Sequence, residues 1–204
     1  MATMNQLTRP RADHTEQVRV FCAIELPAEL RALMATRSAS LRASSHGSAA
    51  RWESEEKLHL TLKFLGEINA ARLPSLALAA GRATAQVAPF ELQLAGPGVF
   101  PLRGPARVLW IGLADPTGRL ASLQQKLEEE CRKQGFPPET KSFHPHVTIA
   151  RLRAPAPPLV ALHLNTAIER RSFTVRNLVI MRSELRPEGS RYTPLASFDL
   201  GGEP

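Results

Sequence analysis

Two stretches of the chain hold the residues best suited to chemistry. They are His59-Leu60-Thr61-Leu62 within "KLHLTLKFLG" and His146-Val147-Thr148-Ile149 within "SFHPHVTIAR". On a β-strand, residues i and i+2 face the same side. His59 and Thr61 therefore project together, with Leu58, Leu60 and Leu62 turned the other way into a core. His146 and Thr148 share a side in the same manner, backed by Val147 and Ile149. Each strand offers one titratable base and one hydroxyl donor from a rigid apolar platform. Paired across a cleft, they would supply two imidazoles that titrate near pH ~6.5 and can hold opposite protonation states near neutrality. The plainer reading is two half-buried strand faces with no chemistry at all.

The elements that must position these strands follow from the hydrophobic pattern. Residues 1–16 are polar and aperiodic and read as a flexible tail, leaving 17–204 as a single domain of two lobes. Val18–Pro27 is an apolar strand that Pro27 ends, and Ala28–Ala43 has helical spacing. Leu58–Leu65 alternates as a strand, and Asn69–Val87 is Ala/Leu-rich and helical with Pro74 near its first turn. Phe90–Phe100 and Ala106–Leu113 read as strands. A helix over Gly118–Gly135 puts Leu120, Leu123, Leu127 and Cys131 on one face, with Gly135 as its stop. His146–Leu152 is a strand, followed by a Pro-rich linker leading into a short helix. Arg171–Leu185 and Tyr192–Leu200 read as the last two strands. The order is neither strict β-α alternation nor segregated blocks. It predicts an α+β fold with mostly antiparallel sheet. Each half carries one His-x-Thr tetrad near its middle, which suggests an internal duplication.

Composition sets the outer bounds. Lys+Arg number 26 against 19 Asp+Glu, for a net charge of +7 and a pI of about 10.2. Such a balance favours polyanions, nucleic acid first, although the excess is dispersed rather than clustered. No apolar run approaches the ~20 residues of a membrane helix. The first residues lack the apolar core of a secretory signal, so the cytoplasm is the expected compartment. Cys22 and Cys131 are too few for a disulfide framework, and Cys22, inside an apolar run, reads as a buried small hydrophobe.

The chain resembles the 2H phosphoesterase superfamily, named for two HxTx motifs. Within it the chain is similar to the RNA 2′,3′-cyclic phosphodiesterases, also called LigT-like 2′-5′ RNA ligases. "RVFCAIELP", "LHLTLKFLGE", "RVLWIGL", "FHPHVTIAR" and "RYTPL" match that family's segments in order, from Arg19 to about Leu200. The resemblance implies a bilobal α+β fold with two antiparallel sheets forming a V-shaped cleft, a pseudo-two-fold duplication and helices on the outer faces. It implies hydrolysis of RNA 2′,3′-cyclic phosphate ends to 2′-phosphates, with reversible 2′-5′ joining, and no metal, cofactor, membrane or obligate protein partner. By the same resemblance His59 is the proton donor and His146 the acceptor, and Thr61 and Thr148 bind the phosphate. Phe21 and Tyr192 match positions near the cleft.

Arg151, five residues after the second histidine, matches the family's phosphate-binding arginine, and a guanidinium suits bidentate phosphate binding. An odd offset puts it on the wrong face of a regular strand. A bulge, twist or strand end must therefore intervene if Arg151 is to join the site. Trp52 is open to two readings, core cover or stacking surface. His14 and His46 read as solvated, and His163 falls in the linker region. His144-Pro145-His146 with His59 would form a three-histidine metal site, but no HExxH or carboxylate cluster accompanies it. Two other classes stay open: a sister 2H enzyme acting on a small cyclic nucleotide or an ADP-ribose cyclic phosphate, and a non-catalytic RNA-binding module.

Overall fold

The structure is a computed structural model that describes residues 16–187 and 189–201. Apart from Glu16, the tail expected over 1–16 lies outside the described residues. Nine strands form the sheet: β1 (Gln17–Glu25), β2 (Ala50–Trp52), β3 (His59–Asn69), β4 (Phe90–Phe100), β5 (Val108–Ala114), β6 (His146–Leu152), β7 (Ser172–Val175), β8 (Asn177–Glu184) and β9 (Arg191–Asp199). The α-helices among the described residues are α1 (Ala28–Ala43), α2 (Leu73–Thr84), α3 (Arg119–Lys133) and α4 (Pro157–Asn165). None of the described helices is long and apolar enough to cross a membrane.

The sheet is antiparallel and curled, in the order β7-β4-β5-β6-β3-β1-β8-β9, with β2 added to β6. The two expected sheets are two halves of this one surface. Their joint is narrow: β3 meets β6 only at Leu60 opposite Val147. β5 occupies the other edge of β6 along most of its length. From Ala150 to Leu152, β2 replaces β3 on the shared edge. β3 and β6 therefore diverge from a single contact, and the cleft opens above it.

The helices cross between the halves. α1 follows β1 of one half but packs with α4 and β2 on the other, while α3 follows β5 and packs with α2 and β3. Each crossing is tied by buried polar groups. Lys63 of β3 donates to Glu128 of α3 at 2.6 Å and to the Pro137 carbonyl at 2.9 Å. Arg37 of α1 donates to the carbonyls of His163 and Thr166 at 2.8 Å each. The apolar face read from α3 is the one that packs: Leu120, Leu123, Leu127 and Cys131 are all fully buried. Cys22 is buried as expected, and Gly135 ends α3 with φ 74°, a backbone region open to glycine at little cost.

Three readings need correction. The strand expected over Arg171–Leu185 is two strands on different halves, β7 on β4 and β8 between β1 and β9. The chain crosses over at Arg176, where no glycine or proline marks the break. The hydrophobic pattern placed no element between Ala28–Ala43 and Leu58–Leu65, yet β2 lies there, too short to show a period. His163 is not a linker residue but a fully buried member of α4.

Candidate active site

The Leu60–Val147 contact sets the geometry of the chemical groups. In that antiparallel register, His59 stands beside Thr148 and Thr61 beside His146, on the face opposite the buried pair. The two tetrads thus form one quartet about a local two-fold axis, where sequence alone left them on facing strands. All four side chains line a cavity of about 440 Å³.

Each imidazole is oriented by the segment that leads into its strand. His59 Nδ1 lies 2.6 Å from the Lys57 carbonyl, and His146 Nδ1 lies 2.7 Å from the His144 carbonyl. A carbonyl only accepts, so both Nδ1 atoms carry the proton and donate it. Both Nε2 atoms are then left for chemistry, with the tautomer fixed by the second nitrogen's bond. His59 Nε2 is 3.0 Å from the Thr61 hydroxyl. Burial holds both imidazoles below the ordinary histidine range. The backbone hydrogen bonds partly oppose that, and the Arg151 charge adds to it.

Aromatic rings brace both histidines. Phe21 stacks on His59 at 4.8 Å between ring centroids, and Tyr192 meets the same imidazole edge-on at 5.2 Å. Phe21 is buried, so it backs the imidazole and leaves Tyr192 the more open of the two. On the other side Phe100 meets His146 edge-on at 4.9 Å, and Trp110 lies 6.0 Å away. Trp110 in turn rests on Gly98, where a Cβ would run into the indole ring. Only glycine admits that approach.

The required bulge is present. Thr148 pairs with Trp110 and Ala150 with Leu109, so Ile149 is the extra residue in β6. Ile149 and Ala150 are both buried, the alternation slips by one, and Arg151 emerges on the cavity side. β3 repeats the device: Thr61 pairs with Ala23 and Lys63 with Cys22, which leaves Leu62 extra. Phe64 is thereby the counterpart of Arg151, five residues after its histidine, and it too lines the cavity.

Several cavity residues escaped the sequence reading. Arg19, Arg51 and Lys57 join Arg151 as cations, against Glu53 alone among acids. Arg19 lies over the Phe64 ring at 4.7 Å. The matching offset of five would have found Phe64, and Lys57 was visible as the residue two before His59. Phe100 and Trp110 left no signal, because an aromatic on a strand reads as core. Trp52 takes the core reading, packing inward with its indole N–H on the Gly47 carbonyl at 2.9 Å. His144 is exposed at the cavity's neighbouring groove. Among the described residues no group of three or more His, Cys, Asp or Glu is gathered as a metal ligand set.

Residues 15–187 match the family model of the 2′-5′ RNA ligase superfamily. The chain belongs to that superfamily, the 2H phosphoesterases. Among curated members, it is 37% identical over 198 residues to the RNA 2′,3′-cyclic phosphodiesterase of Thermus thermophilus, covering 91% of this chain and 92% of that one. A crystal structure of a Thermus thermophilus protein superposes with a TM-score of 0.76 at 30% identity, covering 91% and 99% of the two chains. The Escherichia coli LigT crystal structure complexed with 3′-AMP gives a TM-score of 0.72 at 31% identity, covering 91% and 99%. The curled antiparallel sheet is thus the fold of LigT-like 2H phosphoesterases.

Proposed function

We propose that this 2H phosphoesterase hydrolyses RNA 2′,3′-cyclic phosphate ends to 2′-phosphates, using its two histidines as acid and base and no metal. His146 Nε2 takes a proton from water, and the resulting hydroxide attacks phosphorus. The P–O3′ bond breaks as His59 Nε2 delivers its proton to the leaving 3′-oxygen. In-line displacement needs these groups on opposite sides of phosphorus, and the quartet's local two-fold arrangement supports that reading. Thr61, Thr148 and Arg151 meet the non-bridging oxygens, where charge accumulates. Phe21 holds His59 in place, and Tyr192 offers an edge to the ribose or base. The same steps run with a nucleoside hydroxyl in place of water give reversible 2′-5′ joining.

The observation that carries this reading is the paired Nδ1–H···O=C bonds, which leave two Nε2 atoms directed at one cationic cavity. The name of the Thermus relative and the 3′-AMP complex of LigT support a nucleotide ligand. The cavity's size, within the roughly 300–1,000 Å³ of small-ligand sites, also suits a small cyclic nucleotide as substrate. We place the reaction in the cytoplasm and in a single bilobal unit over 17–204. The test is product analysis on an oligonucleotide ending in 2′,3′-cyclic phosphate, beside cyclic mononucleotides, with and without EDTA. A 2′-phosphate product that forms undiminished in EDTA is expected. A 3′-phosphate product, or loss of activity that zinc or manganese restores, would overturn the mechanism.

A further inference from the structure

Beyond a wall formed by Thr61, Phe64 and His146, the catalytic cavity gives way to a larger groove of about 750 Å³. Its lining differs in kind. Phe100, Leu102 and Phe143 make it largely apolar, with Lys141 and Arg107 as its exposed cations. Leu102 is 69% exposed on the loop between β4 and β5. An apolar groove with a few polar groups, continuous with a catalytic centre, has the character of a ligand site.

The two histidines are not equivalent toward this groove. His146 borders both spaces, whereas His59 and Arg151 border the catalytic cavity alone. On the acid–base reading proposed above, on which this inference rests, His146 deprotonates the nucleophile and His59 protonates the leaving oxygen. The nucleophile must then approach from the His146 side, which is the side of the groove. We propose that the groove is an acceptor subsite for a nucleoside whose 5′-hydroxyl takes the place of water. Its base packs on Phe64 and Phe143 against Leu102, and Lys141 and Arg107 meet the phosphodiester that follows it. The donor nucleoside stays in the catalytic cavity, where Arg19, Arg51 and Lys57 suit its own backbone.

The step balances without any co-reactant. The acceptor 5′-oxygen bonds to phosphorus while its proton passes to His146 Nε2. The P–O3′ bond breaks, and the 3′-oxygen takes the proton of His59 Nε2. The product is a 2′-5′ phosphodiester with a free 3′-hydroxyl, and opening of the five-membered cyclic phosphate drives the step.

The test compares acceptors. Adenosine 2′,3′-cyclic phosphate with its 5′-hydroxyl blocked as the 5′-O-methyl ether is the donor, and adenosine or an abasic 1-deoxyribose, both with a free 5′-hydroxyl, is supplied at equal concentration. The ratio of 2′-5′ joined product to hydrolysis product is measured by chromatography. Stacking of a base on aromatic side chains is worth about 1–3 kcal/mol. Adenosine should therefore join about tenfold better than the abasic acceptor. Leu102→Asp, at an exposed position that should not disturb folding, should lower the adenosine joining ratio by about the same factor. Hydrolysis of the cyclic mononucleotide should stay within about twofold. Equal joining by both acceptors, or an unchanged ratio in Leu102→Asp, overturns the subsite. Slower hydrolysis of a cyclic dinucleotide in that variant, with the ratio unmoved, also overturns it by giving the groove to the donor's upstream nucleotide. If the wild type neither hydrolyses nor joins, the catalytic reading fails and the subsite with it.

Discussion

Arg51 stands directly opposite Arg151 across the β2–β6 ladder. Cross-strand partners point to one face, so two guanidiniums share the cavity wall with only Glu53 between them and neutrality, its carboxylate 3.7 Å from Arg151 Nε. Like charges directly opposite are unfavourable in a sheet, by up to about 1 kcal/mol. On the function proposed above, a phosphate placed between them would turn that repulsion into binding. Arg151→Ala should cut kcat/KM by about tenfold to a hundredfold, charge-assisted hydrogen bonds being worth about 1.5–3 kcal/mol. Arg151→Lys should recover only part, since a point charge replaces a planar fork. Arg51→Ala should raise KM more than it lowers kcat. Steady-state kinetics on a cyclic phosphate substrate checks all three, and wild-type values in both Arg151 variants would remove that residue from the site.

The histidine quartet makes a sharper demand. His59→Ala and His146→Ala should each lower single-turnover hydrolysis by roughly 10²–10⁴, the scale of losing one general acid or base. The double variant should fall far short of the product of the two losses, because groups that act as a unit are non-additive. Thr61→Val and Thr148→Val should fold normally, valine being at home in a strand, yet lose rate. Near wild-type turnover in either histidine variant would make the repeated tetrad a feature of fold alone.

The pH profile follows from the direction in which burial moves both imidazoles. With both held below the ordinary histidine range, burial favours the neutral form of each imidazole in the free enzyme. The reactive form needs one proton on the pair, and the fraction holding it declines as pH rises. The kcat/KM optimum should therefore lie on the acid side of about pH 6.5. A bound phosphate anion favours the imidazolium, so the kcat profile should be displaced to higher pH. Both limbs belong to the pair, not to one residue. Coincident profiles for kcat and kcat/KM would show that the anion does not couple to the histidines.

His163 makes a separate prediction, about stability. Its Nδ1 accepts from Arg37 at 3.1 Å, and its Nε2–H points at the carbonyls of Gly98 and Trp110 at 3.1 and 3.2 Å. Burial, followed by the Arg37 charge, pushes it down to about 4. The unfolded chain therefore binds this proton first on acidification. The contribution is fully present above about pH 6.5 and lost as pH falls toward 4. His163→Gln, which has no titrating proton, should show a shallower fall in denaturation midpoint across that window than the wild type. Parallel curves for the two proteins would count against the linkage.

How much of this was written in the chain depends on the period of each signal. The quartet was legible because a two-residue repeat places His and Thr on one face whatever lies around them. α3 was legible because its apolar spacing is unbroken. The Arg151 conflict was itself information: the offset of five demanded a bulge, and Ile149 supplies it. The break at Arg176 was hard to see because Arg176 and Asn177 interrupt β-prone residues on either side with no glycine or proline, and the two strands belong to different halves. The braces Phe100 and Trp110 were invisible for another reason. Their contact with His146 arises from pairing between strands distant in sequence, and nothing local distinguishes them from core.

The exchanged helices carry a consequence for how this molecule can be divided. A cut between the first tetrad and α3 would leave the N-terminal piece holding β1 and β3 without the α3 helix that packs against β3, and holding α1 without its α4 partner. The C-terminal piece would be bereft in the mirror sense, its α3 orphaned and the back of its strands uncovered. Neither fragment has a complete core, although the duplicated strands suggest two modules. Co-expressed fragments should recover activity only by docking through Lys63–Glu128 and Arg37–His163, the same ties that stop the halves from drifting apart in the intact chain. The spacing of the two histidines across the cleft is thus held from behind, by two latches that lie outside the cavity lining.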